Sequence, residues 1–405
     1  MNIDSIISRT TNVLLLLFIS FTVLPVKLNY SSITIVALLV VALVNLILKE
    51  NKGGVNGYVF VLSVPLLVYV AGMINTENLD NGWSFVTRNL SFLAFPIIFY
   101  SLGNRVQKQK IFNAYLVILT LVNIYLLYLF AYYFNFGERF YKIVTVDIYH
   151  STYLGLYNLF GYWICIAFVH KGNSRRYFFW ALFLLISAMA TSARIIFVLS
   201  IASLIFTAPL FFKSILGRLG LVLGTAIFAF VVFNYAPSIK QKFSQISELE
   251  HFGFDKDNHR GVSSRFGNID ASFQLIQKNT MWGTGTGDIT DELVEVYKKM
   301  GFTMGYKYRY NPHNQYLDNL VRNGIIGGGI GLLFIYLIPL WVSFRKKDLL
   351  LTTFILLVAG VSFTESLLDV HKGITFYAFF VCLLYTRHAM GGELKISKMG
   401  NNKNF

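Results

Sequence analysis

From residue 177 to residue 212 the chain is almost continuously apolar, interrupted only by Thr191-Ser192-Ala193-Arg194. A helix rises about 1.5 Å per residue, so one helix of this length would far exceed a bilayer's hydrocarbon core. Basic residues flank both ends, with Lys171, Arg175 and Arg176 before the run and Lys213 and Arg218 after it. Such clusters mark cytoplasmic loops, so both ends face the cytoplasm and the stretch must cross twice. Arg194 then falls at the outer turn of a tight hairpin. Its neighbours Ala193, Ile195 and Ile196 are apolar, and a charge at membrane depth is costly enough to mark a functional position. The alternative is an arginine snorkelling to lipid headgroups.

The same pattern runs from end to end. Hydrophobic residues make up 55% of the chain and charged residues only 14%, which predicts an all-α polytopic membrane protein. Twelve spans are expected near 11–28, 32–49, 57–75, 88–103, 111–135, 150–170, 177–191, 194–212, 218–236, 317–344, 349–364 and 372–388. The net charge of +15 could suggest nucleic acid. Most basic residues outside the largest loop instead cluster between apolar runs: Lys49 and Lys52; Arg105, Lys108 and Lys110; Arg345, Lys346 and Lys347; and Arg387, Lys395, Lys398 and Lys403 near the end. The expected partner is a membrane, with both termini cytoplasmic. The first run follows a short stretch containing Arg9 and has no small-x-small cleavage site, so it reads as a retained span. Cys165 and Cys382 lie in apolar runs and offer neither a disulfide framework nor a metal site.

This divides the chain into nine spans over 1–236, a large outer loop over 237–316, three spans over 317–388 and a cytoplasmic tail over 389–405. Smaller outer loops fall at 75–83 and 135–150. Within the large loop, 244–250 and 289–300 read as amphipathic helices, and Gly283-Thr284-Gly285-Thr286-Gly287 reads as a turn-rich hinge. The loop is expected to be a small folded cap.

Residues 311–328, NPHNQYLDNLVRNGIIGG, join that loop to the tenth span. Asn311 can cap a helix and Pro312 suits its first position, which puts His313 in the first turn, beside free N–H groups and the positive end of the dipole. An uncharged imidazole beside an anion site suits a base acting on a phosphate-linked substrate. Gly324 and Gly328, with Gly327 and Gly331 nearby, read as a small-residue seam sharing the histidine's face. The alternative is a capping histidine over an ordinary packing face.

Arg265 follows a hydroxyl-rich helix start, Ser263-Ser264. Asn268, Asp270 and Gln274 could orient it, and its planar fork suits phosphate oxygens; otherwise it is a solvated loop arginine. Asp318 and Arg322 are one turn apart and read as a local structural pair. Arg88 opens the fourth span and Glu365 closes the eleventh on the same side, each lining a polar cleft or anchoring a helix end. His150, with Ser151 and Tyr153, opens the sixth span without a strong functional signal. Two arginines and a neutral base on one side suit a lipid-linked diphosphate, which is already activated, so neither nucleotide nor metal is formally needed.

His313-Asn314, nine residues, then Gly324-Ile325-Ile326-Gly327 resembles the signature of the O-antigen ligases, within the wider ligase and polymerase group of bacterial envelope proteins. The resemblance assigns Asn314 to the motif, Arg265 and Arg194 to the family's two arginines, and 283–287 to its glycine turn. Ile269 stands where the ligase pattern has leucine. It implies a GT-C-like, metal-independent transferase in the bacterial inner membrane with a periplasmic site. The donor would be an undecaprenyl diphosphate-linked glycan and the acceptor the lipid A–core oligosaccharide. A polymerase of the same group, or a transporter of the same lipid carrier, are the alternatives.

Overall fold

The computed structural model describes residues 3–25, 30–48, 57–133, 150–170, 172, 176–235 and 263–389. The expected helix at 244–250, the loop at 135–149, Lys49, Lys52, Lys171, Arg175 and the tail at 390–405 lie outside them. The described residues form helices and no strand. In order these are α1 Ile3–Val23, α2 Tyr30–Ile47, α3 Val64–Ala71, α4 Leu79–Arg88, α5 Ser91–Leu102, α6 Lys108–Tyr133, α7 Ser151–His170, α8 Arg176–Ala190, α9 Arg194–Phe211 and α10 Ile215–Tyr235. There follow α11 Ser263–Lys278, α12 Ile289–Met300, α13 Thr303–Tyr308, α14 Gln315–Asn323, α15 Ile338–Arg345, α16 Leu349–Ser362 and α17 His371–Ala389. Among the described residues, seven helical stretches are long and apolar enough to cross a membrane, and four shorter apolar ones accompany them.

Apolar residues lie on both sides of these helices, as a lipid solvent permits. On α2, Val36, Val40, Leu43 and Ile47 face outward while Ile35, Leu38 and Ala42 are buried. α7 is buried almost throughout and forms the centre of the bundle. Its Tyr157 and Phe160 join Tyr115, Phe354, Phe376 and Phe380 in a cluster of tilted and edge-on rings. Buried polar side chains link the helices in pairs: Asn123 with Asn158 at 2.7 Å, and Trp163 Nε1 donating to Ser203 Oγ at 3.1 Å. Unpaired, these groups would be costly in an apolar interior.

α8 and α9 form the expected hairpin, joined through Thr191-Ser192-Ala193 with Ser192 in the left-handed region (φ 57°). The expected amphipathic helix at 289–300 is α12. With α11, α13 and α14 it encloses a small core of Ala271, Leu275, Ile289, Leu293, Tyr297, Phe302 and Val321. The polar stretch at 75–83 is shorter as a loop than expected, because Asn78 accepts from Asn81 N and starts α4 at Leu79. Arg88 accordingly ends α4 rather than opening a span.

Three expectations about 311–328 are overturned. Asn314, not Asn311, caps the helix, accepting from Tyr316 N and Leu317 N. His313 therefore precedes the helix, in the left-handed region (φ 49°), instead of occupying its first turn. The glycine seam is also corrected, because α14 stops at Asn323 and Gly324 adopts φ 64°, ψ −172°. Counting turns from His313 across that break is meaningless. Gly324 is required because a Cβ there would lie 2.3 Å from Met281 O, and its backbone region is nearly exclusive to glycine. Beyond it the chain continues through wider turns at Gly324–Gly328 and Leu333–Leu337 into α15.

The stretch 283–287 is pinned rather than hinged. Thr284 N and Gly285 N donate to Val321 O and Arg322 O, at 2.8 and 3.0 Å. Thr286 donates from N to Gly72 O and from Oγ1 to Tyr69 O. Asp288 then accepts from Glu77 N and Asn78 N. The break at Gly324 is thus the seat into which the glycine-rich turn docks. Gly324→Ala should cost about 1–3 kcal/mol from backbone strain alone, with the clash adding to it. The check is a thermal melt in detergent, where an unchanged melting temperature would contradict the seat.

Candidate functional site

Three distant segments meet at Glu365. It lies after α16, in the link 363–370, where its side chain is 13% exposed. Its Oε2 is 3.5 Å from His313 Nδ1, its Oε1 is 3.7 Å from Arg265 Nη2, and Thr152 Oγ1 is 3.5 Å from the same oxygen. These spacings are at or beyond the limit of a directed hydrogen bond, so the contacts are loose and the one to Arg265 is an ion pair. Burial alone would raise the Glu365 pKa, but His313 as hydrogen-bond partner and the nearby His150, His313 and Arg265 charges outweigh it and lower the value.

Local structure fixes the participants. Asn311 Oδ1 accepts from His313 N, and Asn314 Nδ2 donates to Phe363 O, so asparagines on both sides hold the histidine turn against the Glu365 link. Gln315 Oε1 accepts from Leu368 N at 2.6 Å, and Asn311 Nδ2 donates to Asp369 Oδ2. Beneath lies a buried ionic group. Arg322 pairs with Asp318 at 3.2 Å and with Asp369 at 3.6 Å, and its guanidinium sits 3.8 Å from the Phe85 ring centroid. It also donates to Thr286 O. The expected Asp318–Arg322 pair is present, and it reaches both the glycine-rich turn and the Glu365 link.

The expected residues divide by place. His313, Arg265 and Glu365 converge. Arg194 lies at the same end of the bundle, as two contacts of α9 show. Ile196 and Thr191 face Gly155 on α7, one turn from Thr152. Leu199 packs on Gly360 of α16, which runs on toward Glu365. Asn314 is the helix cap. Arg88 donates to Asp369 O at 3.2 Å, anchoring the Glu365 link. The residues expected to orient Arg265 do not do so in the expected way. Asn268 is buried and accepts from Tyr297 Oη, while Asp270 and Gln274 are exposed. The carboxylate facing Arg265 is Glu365 instead. Thr152 was not singled out from sequence, and His150 drew little weight. The only available signal was polar residues opening α7 where the acidic end of α16 arrives.

The described residues are helical, with apolar helices suited to a membrane, and a carboxylate, an imidazole and a guanidinium gather at one end. Residues 179–330 match the family model described as O-antigen ligase. Over that stretch, 152 of the 405 residues, the chain is similar to the O-antigen ligases. The stretch includes Arg194, Arg265 and His313, while Thr152 and Glu365 lie outside it. A comparison with curated proteins found no match.

Because the folded carboxylate has a lowered pKa, its ionised form contributes stability above the ordinary value of 4.5. That contribution is lost as pH falls through the lower folded value. Glu365→Gln should therefore melt below the parent at neutral pH, with the gap closing as the pH is taken below 4.5. A gap that stays constant with pH would show that the charge is not what matters.

Proposed function

We propose that this protein is a glycan ligase of the bacterial inner membrane, with twelve spans, both termini cytoplasmic, a GT-C-like architecture and a periplasmic site that the loop 237–316 helps to build. The observation that carries this reading is the meeting of His313 and Arg265 on Glu365. Glu365 beside Nδ1 favours the tautomer protonated there, which leaves Nε2 free to accept a proton. His313 Nε2 takes the proton of an acceptor sugar hydroxyl as its oxygen attacks the anomeric carbon of the donor glycan. The bond from that carbon to the diphosphate oxygen breaks, and the undecaprenyl diphosphate leaves with the bonding electrons. Arg265 and Arg194 hold the diphosphate and stabilise the charge gathering on it. The Arg265 side chain is 36% exposed, so it can meet a substrate anion while facing Glu365. No metal or nucleotide takes part in this scheme. The acceptor is the lipid A–core oligosaccharide, a choice supported by the His313-Asn314 motif and the family description. Gathering at one end of the bundle favours a transferase over a transporter, whose charges would sit near mid-membrane on broken helices.

The test is reconstitution with undecaprenyl diphosphate-linked glycan and lipid A–core. The parent should form the new glycosidic bond, and His313→Ala should lose about 100-fold or more in rate while still binding donor. Arg265→Lys and Arg194→Lys should not restore full donor use, because the forked geometry is gone. Full transfer by His313→Ala would remove the base. Extension of one lipid-linked glycan by another would make the protein a polymerase, and movement of glycan without bond formation would make it a transporter.

A further inference from the structure

α13 ends at Arg309, which adopts the left-handed conformation (φ 51°, ψ 51°). That single reversal brings Tyr308 and Tyr310 together, with ring centroids 6.0 Å apart and planes only 16° from parallel. Tyr310 in turn meets the His313 imidazole, centroids again 6.0 Å apart and planes at 67°. The two tyrosine rings thus form a continuous aromatic surface leading to the candidate base.

The base of this surface is fixed and its far end is open. Tyr310 packs against Phe302, its N donates to Gly305 O at 3.0 Å, and its carbonyl accepts from Tyr297 Oη at 3.3 Å. Arg309 is drawn to Asp291 by an ion pair at 2.5 Å. Tyr308 is 55% exposed and lies outside the small core beneath. A rigid, open aromatic pair is not needed to end α13, whose terminus the bond to Gly305 already satisfies.

We propose that Tyr308 and Tyr310 form a saccharide subsite, holding the sugar units that adjoin the reacting one; this rests on the reading of the site as a glycan transferase. The C–H face of a pyranose carries partial positive charge and lies well on an electron-rich ring. The Tyr308 hydroxyl makes the ring's edge polar, and Lys307 Nζ, which can also donate to sugar oxygens, lies over the ring at 5.5 Å from its centroid. That rim matches a polyhydroxylated ring better than an acyl chain. Tyrosines held in place lose little entropy on binding.

The experiment is saturation-transfer NMR with titration, on the full chain in lipid nanodiscs, using two lipid-free probes: an O-antigen repeat oligosaccharide and a core oligosaccharide. The parent should bind one of them, and Tyr308→Ala should weaken that binding about 3- to 10-fold, the scale of one aromatic face contact. Tyr308→Trp should keep it, which separates loss of the ring from loss of folding. Preference for the repeat would place the donor glycan on the tyrosines, and preference for the core would place the acceptor there. No binding of either probe by the parent, or equal binding by Tyr308→Ala, would overturn the subsite. Sugar binding that depends on Tyr308 in a protein unable to form any glycosidic bond would sink the transferase reading and leave the subsite standing.

Discussion

Glu365 is largely withdrawn from water, and a carboxylate in that position must find cations or hydrogen-bond donors to remain ionised. It finds His313 and Arg265, with Thr152 on the same oxygen as the arginine. These residues come from the turn before α14, the start of α11 and the start of α7. None of the three is near another in sequence; helix packing brings them together, and the carboxylate is where the imidazole and the guanidinium meet. The packing of α9 on α7 and α16 puts Arg194 at that same end.

The position of Glu365 depends in turn on what lies under it. Asp318, Arg322 and Asp369 form a buried ionic group that joins α14 to the Glu365 link. Removing one partner from such a group strands a charge and typically costs about 3–5 kcal/mol. Arg322 also binds the backbone of the glycine-rich turn, and that turn is seated in the break at Gly324. Gly324 thus seats the glycine-rich turn, while Gly327 further on packs against Val68 of α3.

Features set by local chemistry were legible in the sequence. Apolar runs and their basic flanks gave the helices, and the hairpin at Ser192 followed from the length of its run together with basic residues at both ends. The amphipathic period of 289–300 gave α12. What could not be read was whatever depended on a break in periodicity. Asn311 and Asn314 are both competent caps, and only the fold shows that Asn314 takes the role while Asn311 serves His313 and Asp369. The Gly324–Gly328 spacing is the same whether it serves a helix contact or a left-handed turn. Glu365 looked like a helix-end charge, because nothing in a linear pattern reports that two other segments bring an imidazole and a guanidinium to it.

The central claim is that His313 and Arg265 both face Glu365 in the folded membrane protein. Short thiol-specific cross-linking tests it most directly, with Cys165 and Cys382 replaced by alanine. One chain would carry His313→Cys with Glu365→Cys, and another Arg265→Cys with Glu365→Cys. The account predicts an intramolecular bridge in both, formed in nanodiscs and abolished when the chain is unfolded before the reagent is added. Failure of both pairs to bridge, in folded protein whose cysteines still react singly, would place these residues apart and contradict the account.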